Sequence, residues 1–183
     1  MPFSDLCFMK KICLISDTHS YIGKDVLDHC LDSDEIWHAG DVGDFDVIDQ
    51  LLQTGKTLRA VYGNIDNAKI RADLDLNLHF ECEGVSVFMT HIGSYPGRYT
   101  KRVKALLEEH KPDLYICGHS HICKVMWDKK LELLHMNPGA CGHKGFHRFR
   151  TILKFDCVDS EVKNLRVVEL GHRGQNLLDQ ESA

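Results

Sequence analysis

Short apolar runs alternate with segments of helical periodicity along the first two thirds of the chain, and this alternation limits the fold more than any other feature. A short apolar run indicates a buried strand, whereas apolar residues at helical spacing indicate a helix packed on one face. Such an alternation is typical of an α/β fold with a parallel sheet. The predicted strands are 12–16, 35–39, 58–62, 85–90 and 114–117, and the predicted helices are 24–31, 45–53 and 99–110.

The last third of the chain changes to paired strands. Segments 122–127 and 131–136 flank a short polar turn, which predicts a hairpin, and segments 150–155 and 162–170 predict two further antiparallel strands. We therefore expect a parallel sheet that antiparallel strands extend or face. The open edge of the hairpin at 122–136 is where two subunits of a homo-oligomer would pair.

The length of 183 residues suits one domain over 1–183, with 1–8 and 174–183 peripheral and Met9 as an alternative start. No apolar run approaches the ~20 residues of a membrane helix, and the first residues lack the pattern of a signal peptide. We therefore expect a cytoplasmic protein with no membrane partner, whose eight cysteines are reduced and mostly buried. The net charge of -5 disfavours a groove for long nucleic acid.

Oxygen and imidazole side chains stand directly after five successive predicted strands. The carboxyl ends of parallel strands meet at one edge of a sheet, so these side chains are expected to converge on one place. The motifs are Ser16-Asp17-Thr18-His19, His38-Ala39-Gly40-Asp41-Val42-Gly43-Asp44, Gly63-Asn64-Ile65-Asp66, His91-Ile92-Gly93 and Gly118-His119-Ser120-His121.

Each motif taken singly has an ordinary structural explanation, because Gly, Asn and Asp also form turns and helix caps. Turns, however, do not require histidine. The seven candidate ligands include four imidazoles, and together they are Asp17, His19, Asp41, Asn64, His91, His119 and His121. Carboxylate, amide and imidazole ligands suit Mn²⁺, Fe²⁺, Zn²⁺ or Ni²⁺, and the absence of cysteine from the set argues against a structural zinc site.

The five motifs in this order resemble the calcineurin-like metallophosphoesterase superfamily. With the short chain and the later Asn137-Pro138-Gly139, they resemble its small bacterial and archaeal phosphodiesterase branch, the YfcE type. The resemblance implies a four-layer α/β/β/α sandwich with two divalent metal ions, manganese first among the candidates, at one edge. It also implies hydrolysis of a phosphate ester by a hydroxide that the two metals hold.

The resemblance implies a role for each ligand as well. Asp17, His19 and His121 would hold one metal, Asn64, His91 and His119 would hold the other, and Asp41 would bridge both. Asp41, Asn64 and His91 are the residues expected to carry catalysis. Asp44 and Asp66 would orient loops or ligating imidazoles, with a helix cap and a turn as the equally weighted alternatives.

The chain departs from the superfamily at Ile65. Many members have a histidine there that protonates the leaving group, and isoleucine cannot supply the roughly 10²–10⁴-fold help of a general acid. We therefore expect the enzyme to cleave aryl phosphodiesters better than alkyl phosphomonoesters. His38 is expected to be a packed histidine, and His143 and His147 are expected to be loop residues rather than ligands.

Three other functions remain open at the level of sequence. A phosphomonoesterase, including a protein phosphatase, would use the same metals but would need an acid for poor leaving groups. A scaffold module like the retromer subunit of this fold would tolerate loss of ligands, whereas all seven are present here. A nuclease of long substrates would need the basic groove that the charge disfavours.

Overall fold

The computed structural model describes residues 9–174, which form two five-stranded mixed sheets with helices on their outer faces. This arrangement confirms the predicted α/β/β/α sandwich. The strands are β1 (Met9–Ile15), β2 (Glu35–His38), β3 (Thr57–Ala60), β4 (Asn77–Cys82), β5 (Val85–Thr90), β6 (Leu114–Ile116), β7 (Cys123–Asp128), β8 (Leu133–Pro138), β9 (Phe149–Val158) and β10 (Glu161–His172), and the helices are α1 (Lys24–Leu31), α2 (Phe45–Gln53), α3 (Ala68–Asp73) and α4 (Lys101–His110).

The first sheet has the order β10-β9-β1-β2-β3. Strands β1, β2 and β3 run parallel, as the predicted strand–helix alternation requires, and β9 and β10 add to the β1 edge as antiparallel strands. The carboxyl ends of the three parallel strands therefore meet at the same edge of this sheet.

The second sheet has the order β4-β5-β6-β8-β7 and repeats this plan with a parallel centre. Strands β5, β6 and β8 run parallel, while β4 and β7 pair antiparallel at the two edges. The predicted hairpin is β7–β8, and its open side is the β7 edge of the sheet.

Apolar residues divide into three clusters that correspond to the three interfaces of the sandwich. The largest cluster lies between the sheets and contains Trp37 from the first sheet and Met89 from the second. A second cluster joins α1, α2 and α3 to the first sheet, and a third joins α4 to the second sheet. Burial on both faces explains why the central strands are continuously apolar.

Six of the seven cysteines within residues 9–174 are buried, and all seven are free thiols, in agreement with the sequence prediction. No helix in this part of the chain has both the length and the hydropathy of a membrane span. The expectation for the far ends of the chain, 1–8 and 175–183, lies outside the described residues.

Two elements were not predicted from the sequence. Helix α3 has only six residues, too few for a clear periodic pattern. Asn67 caps its start, because the Asn67 side chain accepts hydrogen bonds from the backbone N–H groups of Lys69 and Ile70. Strand β4 alternates half-buried and exposed positions at the edge of its sheet, with only Cys82 fully buried, and its histidine and glutamate weaken the apolar signal. Both elements depend on tertiary contacts more than on local sequence.

Candidate metal centre

The loops that follow β1, β2, β3, β5 and β6 bring the predicted ligands to one end of the sandwich. Six of them form two groups, and within each group the ligand atoms lie within 4.8 Å of one another. The first ligand group is Asp17, His19 and His121, and the second ligand group is Asp41, His91 and His119. Both groups contain a residue from each sheet, because the loops after β1 and β2 meet those after β5 and β6.

In the first ligand group the polar atoms face one another. Nε2 of His121 lies 3.1 Å from Oδ1 of Asp17 and 3.2 Å from Nε2 of His19. The second oxygen of Asp17 accepts hydrogen bonds from the Ser16 hydroxyl at 2.6 Å and from the His119 backbone at 3.2 Å. One carboxylate oxygen is therefore anchored, while the other points at two imidazole nitrogens.

Asp41 stands between the two groups. Its Oδ1 lies 3.2 Å from Nε2 of His91, and its Oδ2 lies 3.8 Å from Nε2 of His19. Burial opposes ionisation of Asp41, but the adjoining His91 and the backbone N–H of Ile65 lower its pKa below the usual range. An ionised carboxylate with one oxygen toward each group has the geometry that a bridging ligand requires.

The loop after β3 contributes Asn64 to the walls of both clefts that meet at this centre. One cleft, of about 430 Å³, is lined by Asn64 with His19, Asp41, His119 and His121. The other, of about 410 Å³, is lined by Asn64 and His91. All seven predicted ligands therefore lie at the same place, six of them in the two ligand groups and Asn64 in the walls of the adjoining clefts.

Two buried atoms at the centre lack a hydrogen-bond partner among residues 9–174, and they test whether a cation fits. They are Oδ1 of Asp17 and Nε2 of His91. Nδ1 of His91 lies 2.8 Å from the Ala39 carbonyl and so carries a proton, which leaves Nε2, 3.2 Å from Oδ1 of Asp41, as the nitrogen that can take up a further proton or a metal ion. A buried carboxylate oxygen and a buried imidazole nitrogen that converge in this way require a cation between them, and these ligand types fit a divalent metal ion.

The backbone at most of the predicted ligands has a positive φ angle, a conformation that residues with side chains rarely adopt. Five of the predicted ligands have positive φ, between 50° and 67°, and they are Asp17, His19, Asp41, His119 and His121. Each such residue costs about 1–3 kcal/mol, and such outliers cluster at functional sites. The surrounding loops therefore hold these side chains against a local preference for other conformations.

Gly63 shows how closely the loops approach one another. A Cβ atom at this position would lie 2.0 Å from Oδ1 of Asp41, which is far inside van der Waals contact. Ile65, two residues after Gly63, donates its backbone N–H to the same Asp41 oxygen at 3.1 Å. The glycine of this motif is thus required for the loop after β3 to reach Asp41.

Asp66 joins the loops after β2 and β3, as the loop-orienting hypothesis predicts. Its carboxylate accepts the backbone N–H groups of Val42, Gly43 and Gly63 at 3.2, 2.7 and 2.6 Å. Asp44 instead occupies the N-cap position of α2, where its side chain makes no capping hydrogen bond.

His38 is a packed histidine next to the centre, as predicted. It is fully buried, its Nδ1 accepts the Gly40 backbone N–H at 3.1 Å, and its Nε2 lies 3.0 Å from the Thr18 hydroxyl. Burial lowers the pKa of His38 to about 4, so this imidazole is neutral near pH 7 and supports the ligand loops.

Two residues of the loop before β9 reach the centre, although no functional role is predicted for either from the sequence. His147 contacts His121, and Phe146 lines the 430 Å³ cleft with its side chain fully exposed. The only signal in the sequence was their place in a glycine-rich, histidine-rich segment after Asn137-Pro138-Gly139. His147 belongs to neither ligand group, and His143 lies against the Arg173 carbonyl.

Known proteins share both the sequence pattern and the fold. A family model, the calcineurin-like phosphoesterase superfamily domain, matches residues 9–160. A probable metallophosphoesterase of Methanocaldococcus jannaschii is 31% identical over 137 residues, which cover 70% of this chain and 67% of that protein.

Two solved structures superpose on the sandwich. A novel archaeal phosphodiesterase does so with a TM-score of 0.70 at 23% identity, over 87% of this chain and 99% of that chain. Wild-type Vps29 of Entamoeba histolytica, complexed with Zn²⁺, does so with a TM-score of 0.62 at 17% identity, over 87% and 98%. At these identities the likeness is one of fold.

Proposed function

Because the chain belongs to the calcineurin-like phosphoesterase superfamily, we propose that it is a metal-dependent hydrolase that acts on phosphate diesters. The observation that carries this proposal is the convergence of two ligand groups with Asp41 between them, beside a position where Ile65 replaces a proton donor. The name of the archaeal phosphodiesterase with the same fold supports the choice of diester.

The two ligand groups support a centre for two divalent cations in this proposal. Asp17, His19 and His121 would hold one, His91, His119 and Asn64 the other, and Asp41 would contact both. When bound, the cations supply positive charge for the phosphoryl oxygens and increase the acidity of water. Manganese is the first candidate, and iron, zinc and nickel suit the same ligands.

Ile65 determines which esters react well. Its side chain is 43% exposed and lines the 430 Å³ cleft with Asn64, so it lies where the substrate binds and has no proton to give. A leaving group must then depart without protonation from this position, and aryl oxygens do so more readily than alkyl oxygens. We therefore expect aryl diesters to be better substrates than alkyl monoesters.

An apolar rim of the same cleft supports this preference. Ile65, Ile122 and Phe146 are 43%, 63% and 104% exposed, and all three line the cleft beside the ligands. Large apolar side chains exposed at the mouth of a polar centre gain contact area when a flat apolar group covers them. The rim is placed to hold the aryl portion of the ester.

The decisive experiment compares substrates after the metal-stripped protein is loaded with Mn²⁺. Bis(4-nitrophenyl) phosphate is expected to give a higher kcat/KM than 4-nitrophenyl phosphate and a much higher one than glycerol 2-phosphate. Asp41→Ala and His91→Ala should abolish turnover, while Asp46→Ala, at an exposed carboxylate in the first turn of α2, serves as the control. Preference for the monoesters, or full activity of either centre variant, would contradict the proposal.

The rim has its own test. Phe146→Ala should raise KM for bis(4-nitrophenyl) phosphate about 3–10-fold, because the loss of an aromatic contact is worth roughly 0.5–1.5 kcal/mol, while kcat stays near the wild-type value. Phe149→Ala is the control, since that ring packs on His172 and does not line the cleft. An unchanged KM in the Phe146 variant would exclude the rim as the aryl site.

A binding module without catalysis is the second candidate, and the likeness to Vps29 favours it. The same assay separates the two functions. A protein that takes up two equivalents of Mn²⁺ but turns over none of the esters would be a metal-binding scaffold.

A further inference from the structure

His147 lies outside both ligand groups and touches a member of the first. Its Nδ1 is 3.2 Å from Nδ1 of His121, and the two rings meet edge to face with centroids 5.2 Å apart. The other nitrogen of His147 lies 3.0 Å from the Gly142 carbonyl. Both nitrogens of this side chain therefore have a defined partner.

These partners fix where the protons lie. A carbonyl oxygen only accepts hydrogen bonds, so Nε2 of His147 carries the proton and its Nδ1 is an acceptor. Nδ1 of His121 must then donate to it. The remaining nitrogen of His121, Nε2, is left with a lone pair, and this atom is the one that lies 3.1 Å from Oδ1 of Asp17.

The loop backbone is shaped to bring this contact about. A Cβ atom at Gly145 would lie 2.1 Å from Nδ1 of His121 and 3.3 Å from Nδ1 of His147. Only a residue without a side chain lets the loop lie against the edge of the His121 ring and turn His147 toward it. The contact is thus built by two positions of the loop, 145 and 147.

We propose that His147 is a positioning residue that holds His121 in the Nδ1–H tautomer, so that Nε2 of His121 is free to bind a divalent cation with Asp17 and His19. The inference rests on the proposed metal-dependent function and assigns to this loop the control of one of the two cation sites. An imidazole free in water prefers the proton on Nε2, which would have to be displaced before a cation binds. Partners of this kind typically change metal affinity 10–100-fold.

The experiment titrates Mn²⁺ into the metal-stripped full chain and counts bound ions by electron paramagnetic resonance, without reference to activity. His147→Phe keeps a ring but removes the acceptor, and it should weaken one of two Mn²⁺ sites about 10–100-fold while the other keeps its affinity. His147→Asn places a carbonyl oxygen near the position of Nδ1 and should restore most of the affinity. His143→Phe, on the same loop, should bind like the wild type.

A second readout reports the tautomer itself. Long-range ¹H–¹⁵N spectra of the protein loaded with diamagnetic Zn²⁺ should show His121 with its proton on Nδ1 and its Nε2 bound to the metal in the wild type and in His147→Asn. At the same Zn²⁺ concentration, His147→Phe should show His121 protonated at Nε2. Wild-type affinity and an unchanged His121 tautomer in His147→Phe would overturn the proposal, as would a ¹⁵N signal showing His147 itself bound to the metal. A wild type that binds no Mn²⁺ would instead overturn the proposed function.

Discussion

At the scale of a single residue, Gly63 gives the sharpest test of the centre. Gly63→Ala puts a Cβ atom 2.0 Å from Oδ1 of Asp41, so the loop or the carboxylate must move by about an ångström or more. A displacement of this size costs about 100-fold in rate, and we expect kcat/KM on the aryl diester to fall by that factor.

The control is Gly174→Ala, since a Cβ atom there would meet nothing within 4 Å. It should keep wild-type activity and thermal stability. Equal activity of the two alanine variants would show that the loop after β3 does not have to approach Asp41.

The sequence predicts single residues of the centre well where chemistry alone selects them. Histidine directly after a strand is conspicuous because turns do not require it, and four of the predicted ligands are such histidines. The structure brings these four histidines together with Asp17 and Asp41. The sequence predicts His147 only as a loop residue, because its contact with His121 depends on how the loop turns at Gly145. Nothing in the local pattern encodes that turn, and the contact with His121 appears only in three dimensions.

At the scale of elements, Lys154 on β9 fixes the end of α1. Its ammonium group is buried and donates to the carbonyl oxygens of His29 and Asp32, which have no partner within the helix, and it pairs with the Asp32 carboxylate at 2.8 Å. Lys154→Met keeps the volume but removes the donor to the Asp32 carbonyl and carboxylate, while the His29 carbonyl keeps the Ser33 hydroxyl at 3.0 Å. The substitution should lower the free energy of unfolding by about 1–3 kcal/mol.

Lys24 offers a matched comparison on the same helix. It pairs with Asp28 at 2.7 Å, but its side chain is 86% exposed, and exposed pairs of this kind contribute little. Urea unfolding of Lys24→Met should therefore stay within about 0.5 kcal/mol of the wild type. Equal losses in the two methionine variants would mean that Lys154 acts only as a surface charge.

Elements with strong periodicity were predicted nearly to their ends. Helices α1 and α2 match the predicted ranges 24–31 and 45–53, and β5 matches 85–90, because apolar spacing and burial agree there. Helix α3 and strand β4 were missed because neither carries a strong periodic pattern. The partners that stabilise them, such as β5 for β4, are supplied by the folded sheet.

At the scale of the whole molecule, each ligand group joins the two sheets. Asp17 and His19 follow a strand of the first sheet and His121 follows one of the second, while Asp41 meets His91 and His119 in the same way. Bound cations would therefore cross-link the sandwich. At 100 times Kd, Mn²⁺ should add about 2.7 kcal/mol of stability for each site it fills, and each such gain raises Tm by roughly 5–10 °C for a chain of this size.

Calorimetry with Mn²⁺ and then with a chelator measures this effect, and Asp41→Ala should show a smaller shift. An identical Tm with and without the metal would contradict the cross-link.

The sandwich itself was predictable from the sequence, because alternating strands and helices followed by hairpins leave few possible arrangements of the chain. The way in which the two sheets pack on each other was not predictable, since the contacts between them join residues distant in sequence.

The position of β1 in the first sheet has a consequence for synthesis of the chain. It is the first described strand to leave the ribosome, yet one of its two sides is covered only by β9, near the other end of the chain. Until translation has passed Val158, the backbone groups along that side of β1 have only water or a passing chaperone as partners. A nascent chain that stalls earlier would present an open strand to its neighbours.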